Sequence, residues 1–136
     1  MRAERVVADQ RGAAAVEFVL VAGMLFTVLF GVLEFGLLMN SKVLITSAAR
    51  ECARRAAVDG GSSQAAVSRA LDCLRTSNLD PGSVEVVIRP AQAAYGSQIT
   101  VRVSCPYVPL TPLLRRVAGG RVTLDAEVVT RSERVR

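Results

Sequence analysis

A long apolar run dominates the first third of the chain. Residues 18–33 contain no charged side chain, and extending the run across Glu17 and Glu34 gives an apolar segment from Ala13 to Met39. As a helix rising ~1.5 Å per residue it would be ~40 Å long, more than the ~30 Å hydrocarbon core of a bilayer. The run is longer than the apolar part of a secretory signal and ends without a small-residue cleavage site. The pattern therefore predicts a retained membrane-spanning helix over residues 13–39.

The same helix is predicted to continue beyond the membrane to Val58. Apolar side chains recur there every four residues, which gives one apolar stripe along the helix. The sequence Asp59-Gly60-Gly61 should end the helix, because glycine readily adopts the left-handed conformation found at helix ends. Glu51 and Arg55 have the i,i+4 spacing of an ion pair worth ~0.2–0.5 kcal/mol. The stripe comprises Leu44, Ala48, Cys52 and Ala56.

A second helix is expected to follow, capped by Ser62 or Ser63 and reaching to about Thr76. Its apolar positions have the i, i+3, i+4, i+7 spacing of one helical face. Residues 78–83, with the sequence NLDPGS, are typical of a turn. The apolar face comprises Val67, Ala70, Leu71 and Leu74.

Three later segments alternate apolar and polar residues at the period of a β-strand, over residues 84–89, 98–105 and 121–130. Such alternation is typical of an antiparallel sheet with one face packed and the other solvated. A proline-rich connection, residues 106–120, precedes the last strand. The predicted fold class is α+β: a long amino-terminal transmembrane and amphipathic helix, then a small domain with a second helix and an antiparallel sheet of about three strands.

The amino-acid composition indicates the kind of core and excludes one class of partner. Apolar residues make up 51% of the chain and aromatic residues only 4%, so the small core is expected to be aliphatic. The net charge of +5 would permit nucleic-acid binding, but the arginines are scattered and aromatic side chains for base stacking are scarce. Nucleic acid is therefore not expected as a partner.

The chain contains no histidine, which removes the commonest general base and zinc ligand. It also lacks a phosphate-binding loop, a dinucleotide fingerprint and a nucleophile elbow. Asp125 and Glu127 lie two apart and share a strand face, so they form a candidate acid pair, although solvation of the strand explains them better. The sequence therefore predicts no enzymatic activity, no metal site and no cofactor.

Glu17 is an acidic residue at the start of an apolar helix. It is the fifth residue after Gly12 and directly precedes Phe18. A polar leader ending in glycine, glutamate at this distance and a long apolar helix together resemble the prepilin-type signal. The resemblance implies that an aspartic prepilin peptidase cuts between Gly12 and Ala13, removing a leader of residues 1–12. The new ammonium at Ala13 would lie one helical turn from Glu17, or beside the Glu17 of a neighbouring subunit, and would neutralise it.

The wider pattern of residues 11–59 is similar to the TadE-like minor pseudopilins of tight-adherence (Tad/Flp, type IVc) pilus systems. Members of that family often have proline where Gly23 stands and glycine where Cys52 stands. The shared features are Arg11-Gly12, Val16-Glu17-Phe18, Gly31-x-x-Glu34-Phe35-Gly36, Ala48-Ala49-Arg50-Glu51 and Ala53-Arg54.

This resemblance implies a structural component that takes part in pilus assembly. Its partners would be the prepilin peptidase, the major Flp pilin, other minor pseudopilins, the inner-membrane assembly platform and membrane lipid. Basic residues flank the apolar run on both sides, so the orientation follows from the resemblance: a single-pass protein of the cytoplasmic membrane with residues 40–136 extracytoplasmic, or incorporated in an extracellular pilus. The alternatives are a pseudopilin of a type II-like secretion system and a signal-anchored extracytoplasmic binding or enzymatic domain.

Four residues of the helix are candidates for packing against other subunits: Glu17, Gly31, Glu34 and Gly36. Glycine lets membrane helices approach closely. Glu34 would either hydrogen-bond a partner helix or lie at the outer membrane interface, which is favoured because it lies ~32 Å along the helix from Ala13.

Three cysteines allow three single pairings and leave one thiol over. A disulfide is reasonable if the domain faces an oxidising exterior. Cys73–Cys105, joining helix to strand, is the favoured pair, and Cys52–Cys73 across the two helices is the alternative. Three buried free thiols agree equally well with the sequence.

Overall fold

The computed structural model describes residues 2–75, 79–117 and 119–134. The α+β prediction is confirmed. Helix α2 begins where it was expected, whereas its predicted end at Thr76 and the start of the following turn at Asn78 lie outside the described residues. The elements are helix α1 (Arg2–Asp59), helix α2 (Gln64–Leu74), a 3₁₀ turn (Pro81–Ser83), strand β1 (Glu85–Arg89), strand β2 (Gln98–Tyr107), helix α3 (Pro112–Val117) and strand β3 (Val122–Arg131).

The chain divides into two compact units, Met1–Phe35 and Gly36–Arg136. The described part of the first unit is helical from Arg2 onward and consists of α1 alone. The predicted limits of the leader (1–12), the membrane segment (13–39) and the extracytoplasmic domain (40–136) depend on processing and membrane insertion. Those limits stay predictions.

The second unit contains a three-stranded antiparallel sheet in the order β1-β2-β3. Alternate residues of β2 point inward and are buried, whereas their neighbours on the strand are less buried. These inward residues, the carboxyl-terminal part of α1 and one face of α2 form a single aliphatic core. The inward residues of β2 are Ile99, Val101, Val103, Cys105 and Tyr107.

Helix α1 buries more surface than its predicted stripe. Ala48, Cys52 and Ala56 are buried as expected, and Leu44 packs against the core. A second, adjacent row is buried as well, because residues of both α2 and the sheet belong to the same core cluster as α1. This second row comprises Ile45, Ala49, Ala53 and Ala57.

The predicted ion pair between Glu51 and Arg55 is wrong. Glu51 instead accepts from Arg54, with the carboxylate oxygen 2.9 Å from Nη2, and Arg55 pairs with Asp59 at 3.2 Å. Asp59 ends the helix one turn after Arg55 and offers a second carboxylate at the i,i+4 spacing. Each arginine therefore has its own acidic partner.

Backbone hydrogen bonds hold three segments together at one end of the second unit: the α1–α2 turn, the β1–β2 loop and the residues after β3. The carbonyl of Gly60 accepts from the amide of Ala93 at 2.8 Å, and the carbonyl of Ala57 accepts from the amide of Glu133 at 2.9 Å. Ser63 caps α2 by accepting from the amide of Ala66 at 3.0 Å.

Within the second unit α1 and β3 run in the same direction. Lys42 of α1 bonds the carbonyl of Asp125, and Ala57 bonds Glu133. The helix rises ~22 Å from Lys42 to Ala57, and the strand segment from Asp125 to Glu133 is ~27 Å long. A lysine side chain is long enough to span the difference. The end at which the chain enters this unit, at Gly36, therefore also contains the end of β2, the start of β3 and the connection between them.

Candidate functional site

From Ala13 to Phe35 the exposed surface of α1 is largely apolar. Large apolar side chains from Val16 to Phe35 are exposed, many by more than half, for example Phe18 at 72% and Leu25 at 66%. The most apolar stretch of α1 has a mean hydropathy of 2.4 and none of it is buried within the chain. A helix that served as the core of a soluble domain would be covered by its own protein. This helix is long and apolar enough to cross a membrane, as predicted.

Glu17 projects from this apolar surface and is exposed. Its neighbours Val16 and Phe18 are 62% and 72% exposed, so the carboxylate has apolar surroundings without being enclosed by this chain. Ala13 lies on the same face of α1, ~6 Å nearer the amino terminus. The structure thus brings together the predicted processing residues Gly12, Ala13, Glu17 and Phe18 on one exposed stretch of helix.

Gly12 itself lies in helical backbone, and a Cβ placed there would have no heavy atom within 4 Å. The same holds for Gly31 and Gly36, the two glycines predicted to pack against other subunits. Their lack of a side chain is therefore not required by anything among the residues that the structure describes. Contact with another helix would explain them, and that role stays a prediction.

Glu34 differs from Glu17 in its exposure to solvent. It is 5% exposed, whereas Glu17 is exposed. The two are ~100° apart around the helix axis, since seventeen residues separate them at 3.6 residues per turn. One lateral partner helix would therefore not face both carboxylates equally. The proposed packing role of Glu34 also stays a prediction.

The solvent face of the sheet carries the candidate acid pair. Glu127 lies directly opposite Arg102 in the register of β2 and β3, and Arg102 donates to it through Nε at 3.1 Å and Nη2 at 2.5 Å. This contact raises the pKa of Arg102, with a further contribution from the charge of Asp125. The face lines an open groove of about 610 Å³. Glu127 is thus engaged in a surface ion pair with Arg102, in keeping with strand solvation.

All three cysteines are free thiols in the structure. Cys52 and Cys105 are fully buried in the core cluster, and Cys73 is partly buried against the same cluster. The Sγ of Cys105 lies 3.7 Å from the hydroxyl of Ser83. The predicted pairing of Cys73 with Cys105 stays a prediction.

Two features were missed by the sequence reasoning. Lys42 bonds a strand that follows it by more than eighty residues, and its being the only lysine of the chain was the one available signal. The connection between β2 and β3 contains a short helix with Arg115 and Arg116 in its last turn. The basic character of this connection could have been recognised, because the sequence from Tyr107 to Leu124 contains three arginines and no acidic residue.

Residues 12–54 match the family model of TadE-like proteins. The matched region begins at Gly12, the predicted cleavage residue, and ends at Arg54, before α1 does. The predicted resemblance to TadE-like proteins of the Tad pilus system is confirmed over this segment. No curated protein and no solved structure matches the chain.

Proposed function

We propose that this chain, whose residues 12–54 are TadE-like, is a minor pseudopilin that takes part in assembling a Tad/Flp-type pilus. A prepilin peptidase would remove residues 1–12 by cutting after Gly12. The mature protein would be a single-pass protein of the cytoplasmic membrane, with residues 40–136 extracytoplasmic. Its role would be structural and not enzymatic.

The exposed carboxylate of Glu17 on an apolar helix carries this proposal. A lone charge at the centre of a membrane helix costs ~2.5–3.5 kcal/mol by insertion scales, so charges in such helices usually have a partner. Among the described residues no side chain forms an ion pair with Glu17. A cation supplied by processing or by another subunit would meet this need.

Cleavage after Gly12 would supply that cation. The new ammonium at Ala13 would lie on the same helical face as Glu17 and one turn away. The carboxylate would also then lie in the first turns of the helix, where the helix dipole favours negative charge. A neighbouring subunit shifted along the helix axis could offer its own ammonium in the same way, and pairing between subunits would then set the stagger of the bundle.

Gly12 is suited to local unwinding before cleavage. Glycine in a helix interior is ~1 kcal/mol less favourable than alanine, so Gly12, like the other glycines of α1, weakens the helix locally. Gly12 and Ala13 are both exposed, and a Cβ added at Gly12 would meet no atom within 4 Å. A peptidase that binds an extended backbone would therefore meet little resistance at this point.

Co-expression with a prepilin peptidase, followed by intact-mass measurement, tests the proposal. The chain is expected to lose residues 1–12, and Gly12→Ala is expected to block the loss. Gly23→Ala is the matched control, because Gly23 is also a helical glycine at which an added Cβ would meet no atom within 4 Å. It should be cut like the parent. An uncut parent chain would favour a plain signal-anchored domain.

The TadE-like match favours a Tad-type system over a type II-like secretion system. Co-purification from native membranes would separate the two, since each system would supply different pseudopilins and platform proteins. Recovery of the major Flp pilin or a second Tad pseudopilin is expected. Recovery of secretion-system pseudopilins instead would overturn the assignment.

A further inference from the structure

We propose that the connection between β2 and β3 docks on the surface of an anionic lipid bilayer. The surface, here called the basic loop, consists of Val108, Leu110, Arg115, Arg116 and Arg121. The inference goes beyond pilus assembly and does not depend on processing after Gly12. It depends only on α1 anchoring the chain in a membrane.

The basic loop combines exposed apolar and cationic side chains. Leu110 is 72% exposed and Val108 is 48% exposed, and they lie among the few large apolar side chains of the second unit that face solvent to this degree. Arg115, Arg116 and Arg121 are exposed as well. Apolar side chains that enter the headgroup region and arginines that pair with phosphates are the composition of interfacial membrane-binding segments.

The charge of the loop is one-sided. The sequence from Tyr107 to Leu124 holds three arginines and no aspartate or glutamate. Within the described residues, neither Arg116 nor Arg121 forms an ion pair. Arg115 donates to the carbonyl of Pro109 at 3.3 Å, which ties the arginine to the segment that carries Leu110. Uncompensated cations attract anionic lipid, and the attraction falls within a Debye length.

The position of the loop agrees with this partner. Because α1 and β3 run in the same direction, the connection that precedes Val122 lies at the end of the unit where the chain enters at Gly36. Val122, the first residue of β3, lies ~10 Å nearer that end than Asp125, the residue that Lys42 contacts. The predicted membrane-spanning segment, residues 13–39, ends just after Gly36 in the chain. The opposite end of the unit, where Tyr95 is 70% exposed, also carries arginines, Arg131 and Arg134, but the acidic residues Asp59 and Glu133 lie there as well, so its charge is mixed.

The absence of tryptophan from the chain provides a clean test. Three single variants of the full chain, Leu110→Trp, Tyr95→Trp and Leu25→Trp, would each be reconstituted as one copy per lipid nanodisc. The discs would contain brominated phosphatidylcholine, with or without about one third phosphatidylglycerol, since bromine quenches tryptophan only on contact and anionic lipid sets the surface potential. Leu25→Trp reports the anchor, Leu110→Trp the loop and Tyr95→Trp the far end.

With anionic lipid, Leu110→Trp is expected to lose more than half of its fluorescence and to shift to the blue. Without anionic lipid, or at high salt, most of that quenching should disappear. Reversing the charges by Arg115→Glu, Arg116→Glu and Arg121→Glu together should abolish it, while Arg131→Glu, on the solvent face of β3, should leave it unchanged. Tyr95→Trp should remain unquenched throughout.

Two results would overturn the proposal while leaving the anchor intact. If Leu25→Trp is quenched but Leu110→Trp is not, the loop faces water. A blue shift of Leu110→Trp without bromine quenching would mean that the loop packs on protein and not on lipid. An unquenched Leu25→Trp would remove the membrane anchor and with it this proposal. Loss of cleavage after Gly12, by contrast, would count only against the proposed function.

Discussion

The ammonium of Lys42 on α1 donates a hydrogen bond to the backbone carbonyl of Asp125 on β3. The strand order β1-β2-β3 makes β3 an edge strand. Unpaired carbonyls on a strand edge invite pairing with other strands, and lysine is a common means of blocking them. The contact therefore fixes the helix against the sheet and covers one position of a ten-residue edge.

Lys42→Met should lower the stability of the second unit by ~1 kcal/mol, because it removes the donor and keeps most of the apolar stem. The measurement is denaturant unfolding of the full chain in detergent, followed by circular dichroism. Arg50→Met is the matched control, since Arg50 is an exposed cation two turns further along the same helix. Equal effects of the two substitutions would show that the contact with Asp125 contributes nothing.

Gly61→Ala should destabilise the fold by ~3 kcal/mol or more. The residue has a φ of +132°, and a Cβ would lie 2.3 Å from the carbonyl oxygen of Ala91, so both backbone strain and a clash with rigid backbone arise. Gly96→Ala is the comparison, because Gly96 has a φ of +77° but no atom within 4 Å. It should cost only ~1 kcal/mol. Thermal unfolding of both variants measures the difference, and equal losses would mean that the β1–β2 loop moves aside.

Local patterns predicted most elements of the fold. The glycine pair after Asp59, the Ser63 cap and the alternation of Ile99, Val101 and Val103 each depend on neighbouring residues, and all are confirmed. The helix α3 was not predicted, because its sequence PLLRRV is short and follows several prolines that suggest an irregular connection. Strand β2 also runs two residues beyond its predicted end, to Tyr107, since Val122 of β3 still pairs with it.

Contacts between elements were harder to predict from the sequence than the elements themselves. The second buried row of α1 consists mainly of alanines, whose single methyl group contributes little to a hydrophobic pattern, and only the packing of α2 and the sheet places Ala49 and Ala53 in the core. The choice of Arg54 over Arg55 as the partner of Glu51 depends on Asp59 competing for Arg55. In the candidate site, Gly12 and Glu17 were predicted from their spacing along the chain, and their role in processing stays a prediction. The burial of Glu34 could not be predicted, because the spacing of residues along the chain does not reveal it.

Thiol reactivity of the reduced, folded protein should follow burial. Cys73 is partly exposed and should be alkylated first, whereas Cys52 and Cys105 are fully buried and should react only on unfolding. Mass spectrometry of iodoacetamide-treated protein counts and locates the modified residues. Cys73→Ser should abolish the early reaction, and early modification of Cys52 would contradict the packing.

The predicted Cys73–Cys105 disulfide is tested by a separate measurement, the number of free thiols. Protein taken from its host and denatured without reductant should show one free thiol, at Cys52, if the pair forms. Three free thiols would remove the prediction, and a free Cys105 with blocked Cys52 and Cys73 would favour the alternative pair. Peptide mapping under non-reducing conditions identifies the linkage.

Glu17→Gln tests whether the carboxylate and the new amino terminus act together. The variant should still be cut after Gly12, because the bond and its glycine are unchanged, but recovery of partner pseudopilins by co-purification should fall about tenfold, the equivalent of ~1.4 kcal/mol. The physical reason is that glutamine cannot neutralise the ammonium at Ala13. Glu17→Asp keeps the charge on a shorter side chain and should retain part of the recovery.

The decisive comparison is a double-mutant cycle, because only coupled residues show non-additive effects. In a Gly12→Ala background the ammonium at Ala13 never forms, so adding Glu17→Gln should cause little further loss of partner recovery. If Glu17→Gln causes the same loss whether or not the chain is cut, the carboxylate acts on some other group. The charge pair would then have to be abandoned as the reason for the spacing between Gly12 and Glu17.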